Sequence, residues 1–288
     1  MLEFFTIRRY MHPIFEKFTP YSGMVESGYM ADVVGVKTKV SYFSSNHIES
    51  HVENCKYPEF NEEFFEWADV FESVFLAKDS YVMAELGAGW GRWLSRAYFA
   101  CKQMYADMPC HVIGVEAEPT HFQWLKEHCA FNNIPATLIE AAVDDAPGEV
   151  GFYTGKPTEW YGQCIGGETK VKSIDLKCIL NSHDRFDLID MDVQNFEFKI
   201  LNAAKDLIHK VKRFHIGTHS KEVEEQLREL FKDWLCVNDY SLFTKHKTIY
   251  GESDFNDGVQ TWINPEWQKE YVDYTYSVFG ADRNRFVL

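Results

Sequence analysis

Apolar positions change their period along the chain, and the changes divide it into elements. From Asn61 the run NEEFFEWADVFESVFLAK sets apolar side chains at 64, 67, 68, 71, 74 and 75, a helical stripe with an Asn cap and acids in its first turn. It predicts a helix leading into the core, with Phe64, Phe65, Trp67 and Phe71 as packing residues. After Lys78 and Asp79, short apolar runs alternate with amphipathic stretches. Strands are predicted over 81–86, 111–116, 136–141, 187–191 and 213–216, with helices over 91–105, 119–131 and 197–211 and one from Ser220 to 234. Two more strands fall in the tail, over 236–238 and 259–263. This alternation specifies an α/β domain with a mostly parallel sheet, because parallel neighbours need a crossover between them. The Gly-punctuated stretch over 144–174 reads as a hairpin excursion. The first 60 residues are mixed, with YSG and ESG turn signals and one alternating stretch over 36–42. Residues 1–78 are expected to form a mostly helical extension or cap and residues 79–288 the main domain.

Composition adds exclusions. Hydrophobic residues make up 45% and aromatics 16%, too apolar for a disordered chain. The 29 Lys and Arg face 44 Asp and Glu, and the formal charge of −15 repels phosphate backbones and anionic lipid. Neither nucleic acid nor a membrane is therefore an expected partner. The longest apolar run is five residues, over 97–101, where a spanning helix needs about 20. Charges interrupt every amino-terminal apolar stretch, so no signal-peptide core is expected. Seven scattered cysteines without a CxxC pair fit reduced thiols better than a disulfide frame or a zinc site. The expected location is the cytoplasm, and the sequence leaves room for a homo-oligomer.

The sharpest chemical feature is Glu85-Leu86-Gly87-Ala88-Gly89-Trp90-Gly91, at a strand-to-helix junction. Glycine there lets the backbone turn tightly and approach a ligand, while the helix start presents free N–H groups. A dinucleotide fingerprint needs GxGxxG/A, but Arg92 stands at the last position, where its bulk obstructs close packing around a pyrophosphate. That weakens the reading as an NAD-dependent oxidoreductase. The acid before the glycines and the GxGxG spacing suit a cationic amino-acid cofactor, S-adenosylmethionine (SAM); the plain alternative is a turn that merely needs glycine. At the end of the second strand, 25 residues past Gly91, Glu116 is placed to accept the ribose hydroxyls of an adenosine cofactor. Glu118 reads as a first-turn acid of the next helix.

Five pieces stand in order: ELGAGWG, VEAEPTHFQWLKEHCAFNNI, AAVDDAPGEVGFY, VKSIDL and FDLIDMDVQNFEFKIL. With them the sequence resembles the FkbM-type SAM-dependent methyltransferases, well over 81–207, loosely over 216–265 and hardly in the first 60 residues. The resemblance implies a Rossmann-like class I methyltransferase fold, a mostly parallel seven-stranded sheet flanked by helices. It also implies bound SAM and methyl transfer usually to a hydroxyl of a small molecule or sugar. By the same resemblance Glu85, Gly87 and Gly89, with Ala88 between them, hold the methionine part. Glu116 would hold the ribose, and Ala141 and Ala142 would flank the adenine. The family's fourth-strand motif, Lys-Ile-Asp-Val-Glu-Gly-x-Glu, is altered here. Asp192 and Glu197 are kept, but Asp190 replaces the Lys, Gln194 the Glu and Asn195 the Gly. The usual acid-rich segment after the fifth strand reads Ile216-Gly217-Thr218-His219-Ser220. A catalytically silent SAM-binding module of the same fold is therefore the alternative.

In open α/β sheets ligands sit beyond the carboxyl ends of the strands, where Glu85 to Gly89, Glu116, Asp192 and His219 all fall. Methyl transfer to a hydroxyl needs the oxygen in line with the sulfonium and its proton removed by a base or an acidifying metal. Asp192 and His219 are the candidates for those roles, with capping or packing the plain alternative for His219. Asp192, Glu197 and His219 could also ligate Mg²⁺, but spacing fixes no coordination geometry and no metal is assigned. Trp160-Tyr161-Gly162-Gln163 in the excursion and the tail segment from Asp257 to Trp262 are candidates for an aromatic-walled acceptor pocket, or for ordinary packing.

Overall fold

A computed structural model describes residues 11–156 and 163–279. Its central sheet has seven strands: β1 (Tyr81–Leu86), β2 (Cys110–Glu116), β3 (Thr137–Glu140), β4 (Leu188–Met191), β5 (Arg213–Thr218), β6 (Leu235–Tyr240) and β7 (Gly258–Ile263). They lie in the order β6-β7-β5-β4-β1-β2-β3. The five strands from β3 to β5 are parallel, and β7 runs antiparallel between β5 and β6. The helices are α1 (Phe64–Phe75), α2 (Arg92–Met104), α3 (Pro119–Phe131), α4 (Leu176–Leu180), α5 (Glu197–Ala203), α6 (Lys221–Leu230) and α7 (Pro265–Phe279).

All six residues of β1 are buried because both faces of the sheet are covered. Tyr81 and Met83 pack with apolar residues of α1, α2, α3 and α7, whereas Val82, Ala84 and Leu86 pack with those of α4, α5 and α6. The chain winds outward in opposite directions from β1 and β4, so the carboxyl ends of these two strands flank a switch-point crevice. The excursion after β3 is a four-stranded side sheet of Cys164–Ile165, Gly148–Tyr153, Thr169–Asp175 and Ala142–Asp144, in that order. The helix expected over 197–211 stops at Ala203, and a short 3-10 turn, Ile208–Lys210, follows. Two tail elements lay outside the sequence reading: a hairpin of Thr244–Lys247 with Glu252–Phe255, and α7. Asn264 begins α7 by accepting from the Glu266 N–H at 3.0 Å.

The amino-terminal extension corrects an expectation. It is not mostly helical: before α1 its described residues hold four short strands, Ser22–Val25, Tyr29–Ala31, Lys37–Lys39 and His51–Asn54, and the 3-10 turns Pro13–Lys17 and Val40–Tyr42. The strands pair antiparallel, first with fourth and second with third. Turn chemistry is the reason. Asp32 accepts from the Val34 and Val36 N–H groups at 3.2 and 3.1 Å, and Gly35 takes φ +89°, so the chain reverses where a helix would continue. The extension also shares the core, with Phe15 and Phe18 set against Phe71 at ring distances of 5.7 and 4.0 Å.

Candidate functional site

The loop after β1 is shaped by what sits behind it. Gly87 takes φ +82°, and a Cβ there would lie 1.9 Å from the Asp192 carbonyl oxygen, so only glycine lets β1 pass the end of β4. Gly89 takes φ +53° with nothing within 4 Å of a Cβ, which leaves its outer side open. Gly91, at φ +78°, starts α2. The Gly87 and Ala88 N–H groups both donate to Val115 O at 3.0 Å. Glu85 directs its two carboxylate oxygens at the start of α2, accepting from Trp93 N at 3.1 Å and Leu94 N at 2.8 Å. Burial pushes the Glu85 carboxyl up to about 7, against the pull of those two donors. Glu116 ties the loop to β2: one oxygen accepts from Gly89 N and the other from Glu118 N, each at 2.7 Å. Glu118 caps α3 through the His121 N–H at 2.7 Å.

Two clefts meet at this loop. The first, with about 700 Å³ of unfilled space partly open to solvent, runs from Gly87 and Gly89 past Glu116 to an apolar end made by Val115, Ala117, Ala141, Ala142 and Phe152. The second, about 1000 Å³, lies on the α1 side of Gly87 and Gly89. Trp90 and Asp192 line both. The second cleft is acidic, lined by Glu62, Glu63, Glu66, Glu85, Asp190, Asp192 and Asp257 against Arg92 and His215. Arg92 pairs with Glu63 and lies 5.1 Å from the Trp90 ring.

Beyond β4 the chain turns through Gln194 and Asn195 at φ +54° and +79°. Asn tolerates the left-handed region better than most residues, which explains how it stands where the resembled motif has glycine. This turn brings Asp192, Glu197 and His219 together. His219 Nδ1 lies 2.8 Å from Glu197 Oε1 and Nε2 lies 3.2 Å from Asp192 Oδ1; the Gln194 amide nitrogen closes the corner, 2.7 Å from Asp192 and 2.8 Å from Nε2. Burial lowers the basicity of His219, but the two carboxylates outweigh it and raise the imidazole to about 11. Both ring nitrogens of His219, the residue considered from sequence for base or Mg²⁺-ligand roles, are thus engaged by neighbouring side chains in this arrangement. Asp192, with a side chain 53% exposed, faces the clefts; His219 more than offsets its desolvation and holds its carboxyl below the usual range.

The profile of the methyltransferase FkbM domain matches residues 82–242, more than half of the chain. The chain belongs to the FkbM methyltransferase family. A relative from Jannaschia sp. (strain CCS1), named provisionally as a methyltransferase, is 28% identical over 241 residues, covering 75% of this chain and 85% of its own. Among solved structures, the FkbM methyltransferase of Methylobacillus flagellatus KT is 15% identical with a TM-score of 0.43, covering 65% of this chain and 45% of its own. Precorrin-6y C5,15-methyltransferase of Geobacter metallireducens GS-15 is 14% identical with a TM-score of 0.41, covering 68% and 86%. The sheet order, with helices on both faces, gives this FkbM chain the Rossmann-like class I methyltransferase fold, and SAM is the family's methyl donor. No described helix is long and apolar enough to cross a membrane.

Set against this family frame, Gly87, Gly89, Glu116, Ala141, Ala142 and Asp192 line one cleft, while Glu85 and Ala88 border only the second. Gln163 lines the first cleft; Trp160, Tyr161 and Gly162 lie outside the described residues. In the tail, Asp257, Gly258 and Val259 line the second cleft, but Trp262 is buried against Phe231 at 5.5 Å and is a packing residue. Sequence reasoning missed Glu66 and His215 and gave Asp190 no role. A signal was there: Arg213 and His215 are polar positions two apart in a buried strand, so they share one face.

Proposed function

We propose that this protein transfers a methyl group from SAM to a hydroxyl of a small molecule or sugar. The observation that carries the reading is the pair of clefts that share Gly87, Gly89, Trp90 and Asp192, the first lined by small apolar residues and the buried Glu116 carboxylate. The first cleft fits the adenosyl half of SAM: Ala141 and Ala142 leave room for a flat ring, and Glu116 presents its remaining lone pairs where a ribose would lie. Glu85 fixes the start of α2 on the side proposed for the methionine ammonium. When bound, SAM supplies an electrophilic methyl on a sulfonium, and the acceptor oxygen must lose its proton as it attacks.

Asp192 accepts the hydrogen bond of that hydroxyl and takes up its proton, while His219, anchored on buried Glu197, orients the carboxylate. Asp257, 3.8 Å from the same ring and with its carboxyl raised by burial, is a second carboxylate on the acceptor side. The second cleft suits a polyhydroxylated acceptor, since its carboxylates accept hydrogen bonds and repel anions. The test is transfer of labelled methyl from SAM across a panel of sugars and small alcohols. Turnover on a hydroxyl that falls at least about 100-fold in Asp192→Asn supports the proposal. Turnover confined to amines or thiols, or undiminished in Asp192→Asn, defeats it.

A further inference from the structure

On the floor of the second cleft, one cluster is left unused by the reading above. Asp190 on β4 stands in register with Glu85 on β1 and with His215 on β5, so all three point to the face covered by α1. From α1, Glu66 comes down onto them. Glu66, Asp190 and His215 each offer a ligand atom, and these atoms all lie within 4.8 Å of one another. The Asp190 side chain lines the cleft at 5% residue exposure, with no hydrogen bond or ion pair to its carboxylate among the described residues. Burial, followed by the charges of Glu66 and Glu85, pushes Asp190 well above the usual carboxylate range, and burial takes Glu66 up to about 8.

We propose that Glu66, Asp190 and His215 bind one divalent transition-metal ion. The imidazole is arranged for it. His215 Nδ1 lies 2.6 Å from Asp69 Oδ2, which fixes the ring, while Nε2 faces Glu66 at 4.0 Å with no hydrogen-bond partner among the described residues. A carboxylate behind a histidine is the usual outer support of a metal-bound imidazole. Asp69 is itself held by Arg213 at 2.6 Å and by the Thr261 hydroxyl at 2.5 Å, so the outer support spans α1, β5 and β7. Bonds of about 2.0–2.2 Å put neighbouring ligand atoms about 3–3.5 Å apart, so the three atoms must draw together by up to about 1 Å, a side-chain adjustment. One imidazole with two carboxylates suits Mn²⁺ or Zn²⁺ better than a purely oxygen-seeking ion. The cluster of Asp192, Glu197 and His219 also brings ligand atoms together, but there Nε2 already lies 3.2 Å from Asp192 and 2.8 Å from the Gln194 amide nitrogen, whereas Nε2 of His215 has no such close neighbour among the described residues. Coordination positions facing the cleft remain for water or an acceptor oxygen.

The test needs no activity: the chelator-treated full chain is titrated with Mn²⁺, and free ion is read by electron paramagnetic resonance. One Mn²⁺ per chain is expected, with binding at least about tenfold weaker in Asp190→Asn and in Glu66→Gln, and within about threefold of wild type in Glu197→Gln. Circular dichroism verifies that each variant is folded; Asp190→Asn keeps the shape of the buried carboxyl and is expected to melt no lower than the metal-free wild type. No uptake by wild type at millimolar Mn²⁺, or equal binding by both cleft variants, overturns the proposal. So does loss in Glu197→Gln alone, which would place the ion at the other cluster. S-adenosylhomocysteine binding, measured separately, keeps failure here distinct from failure of the cofactor reading.

Discussion

Gly87 and Gly89 stand two residues apart in one loop, yet alanine at each should fail in a different way. At Gly87 the added Cβ meets the Asp192 carbonyl oxygen at 1.9 Å. Ordinary contact is more than 1 Å longer, so β1 or the chain after β4 must move. A left-handed conformation at φ +82° adds about 1–2 kcal/mol for a residue with a Cβ. With about 1–3 kcal/mol for overpacking, Gly87→Ala should cost about 2–5 kcal/mol, a fall in melting temperature of several degrees for a chain of this size. At Gly89 only the conformational cost applies, about 1–2 kcal/mol, because nothing in the protein lies within 4 Å of the new methyl. That methyl instead projects from a cleft-lining position, so S-adenosylhomocysteine should bind Gly89→Ala at least about tenfold more weakly. Calorimetric binding and thermal melts of the two variants against wild type separate the effects. A Gly87→Ala protein that melts with wild type would refute the close approach of β1 to Asp192. Unchanged affinity in Gly89→Ala would refute the placing of the cofactor along this loop.

Other consequences follow from single side chains. Glu116→Gln can accept only one of its two backbone N–H donors, so it should lower S-adenosylhomocysteine affinity by about tenfold or more while the chain remains folded; calorimetry reads this, and equal affinity would remove Glu116 from the ribose site. His128, bonded to the Trp90 carbonyl at 2.8 Å, is held down to about 4 by burial, whereas in the unfolded chain it titrates near 6.5. Its neutral form is native, so the linked stability is intact above about 6.5 and is lost as pH falls, by about 1.4 kcal/mol between pH 8 and 5.5. Urea unfolding at both pH values should show the stability difference between wild type and His128→Gln shrinking by that amount toward acid; a constant difference would contradict the buried neutral ring.

Much of the sheet domain was legible because its information is local. The period switches from two to 3.6 at nearly the right places: the strand over 81–86 and the helix over 119–131 match β1 and α3 residue for residue. Glycine at 87, 89 and 91 marked the loop, since a left-handed backbone admits little else. Glu116 could be placed at the cleft because a strand's carboxyl end is fixed once the strand is.

What only the tertiary structure decided depends on which faces meet. Asp69 and His215 are 146 positions apart, and neither segment states that α1 lies across β4 and β5. The same holds for His219, a candidate base or a capping residue by sequence, until the turn through Gln194 and Asn195 set a carboxylate against each ring nitrogen. The extension was misjudged for another reason: its strands are only three or four residues long, too short to show a period, and pair only after Asp32 and Gly35 turn the chain. Sequence fixes the conformation and the apolar side of each element. Charge placed on buried faces acquires its chemistry only from the partner that packing brings to it, because proton affinity and metal affinity depend on distances between elements and on exclusion of water.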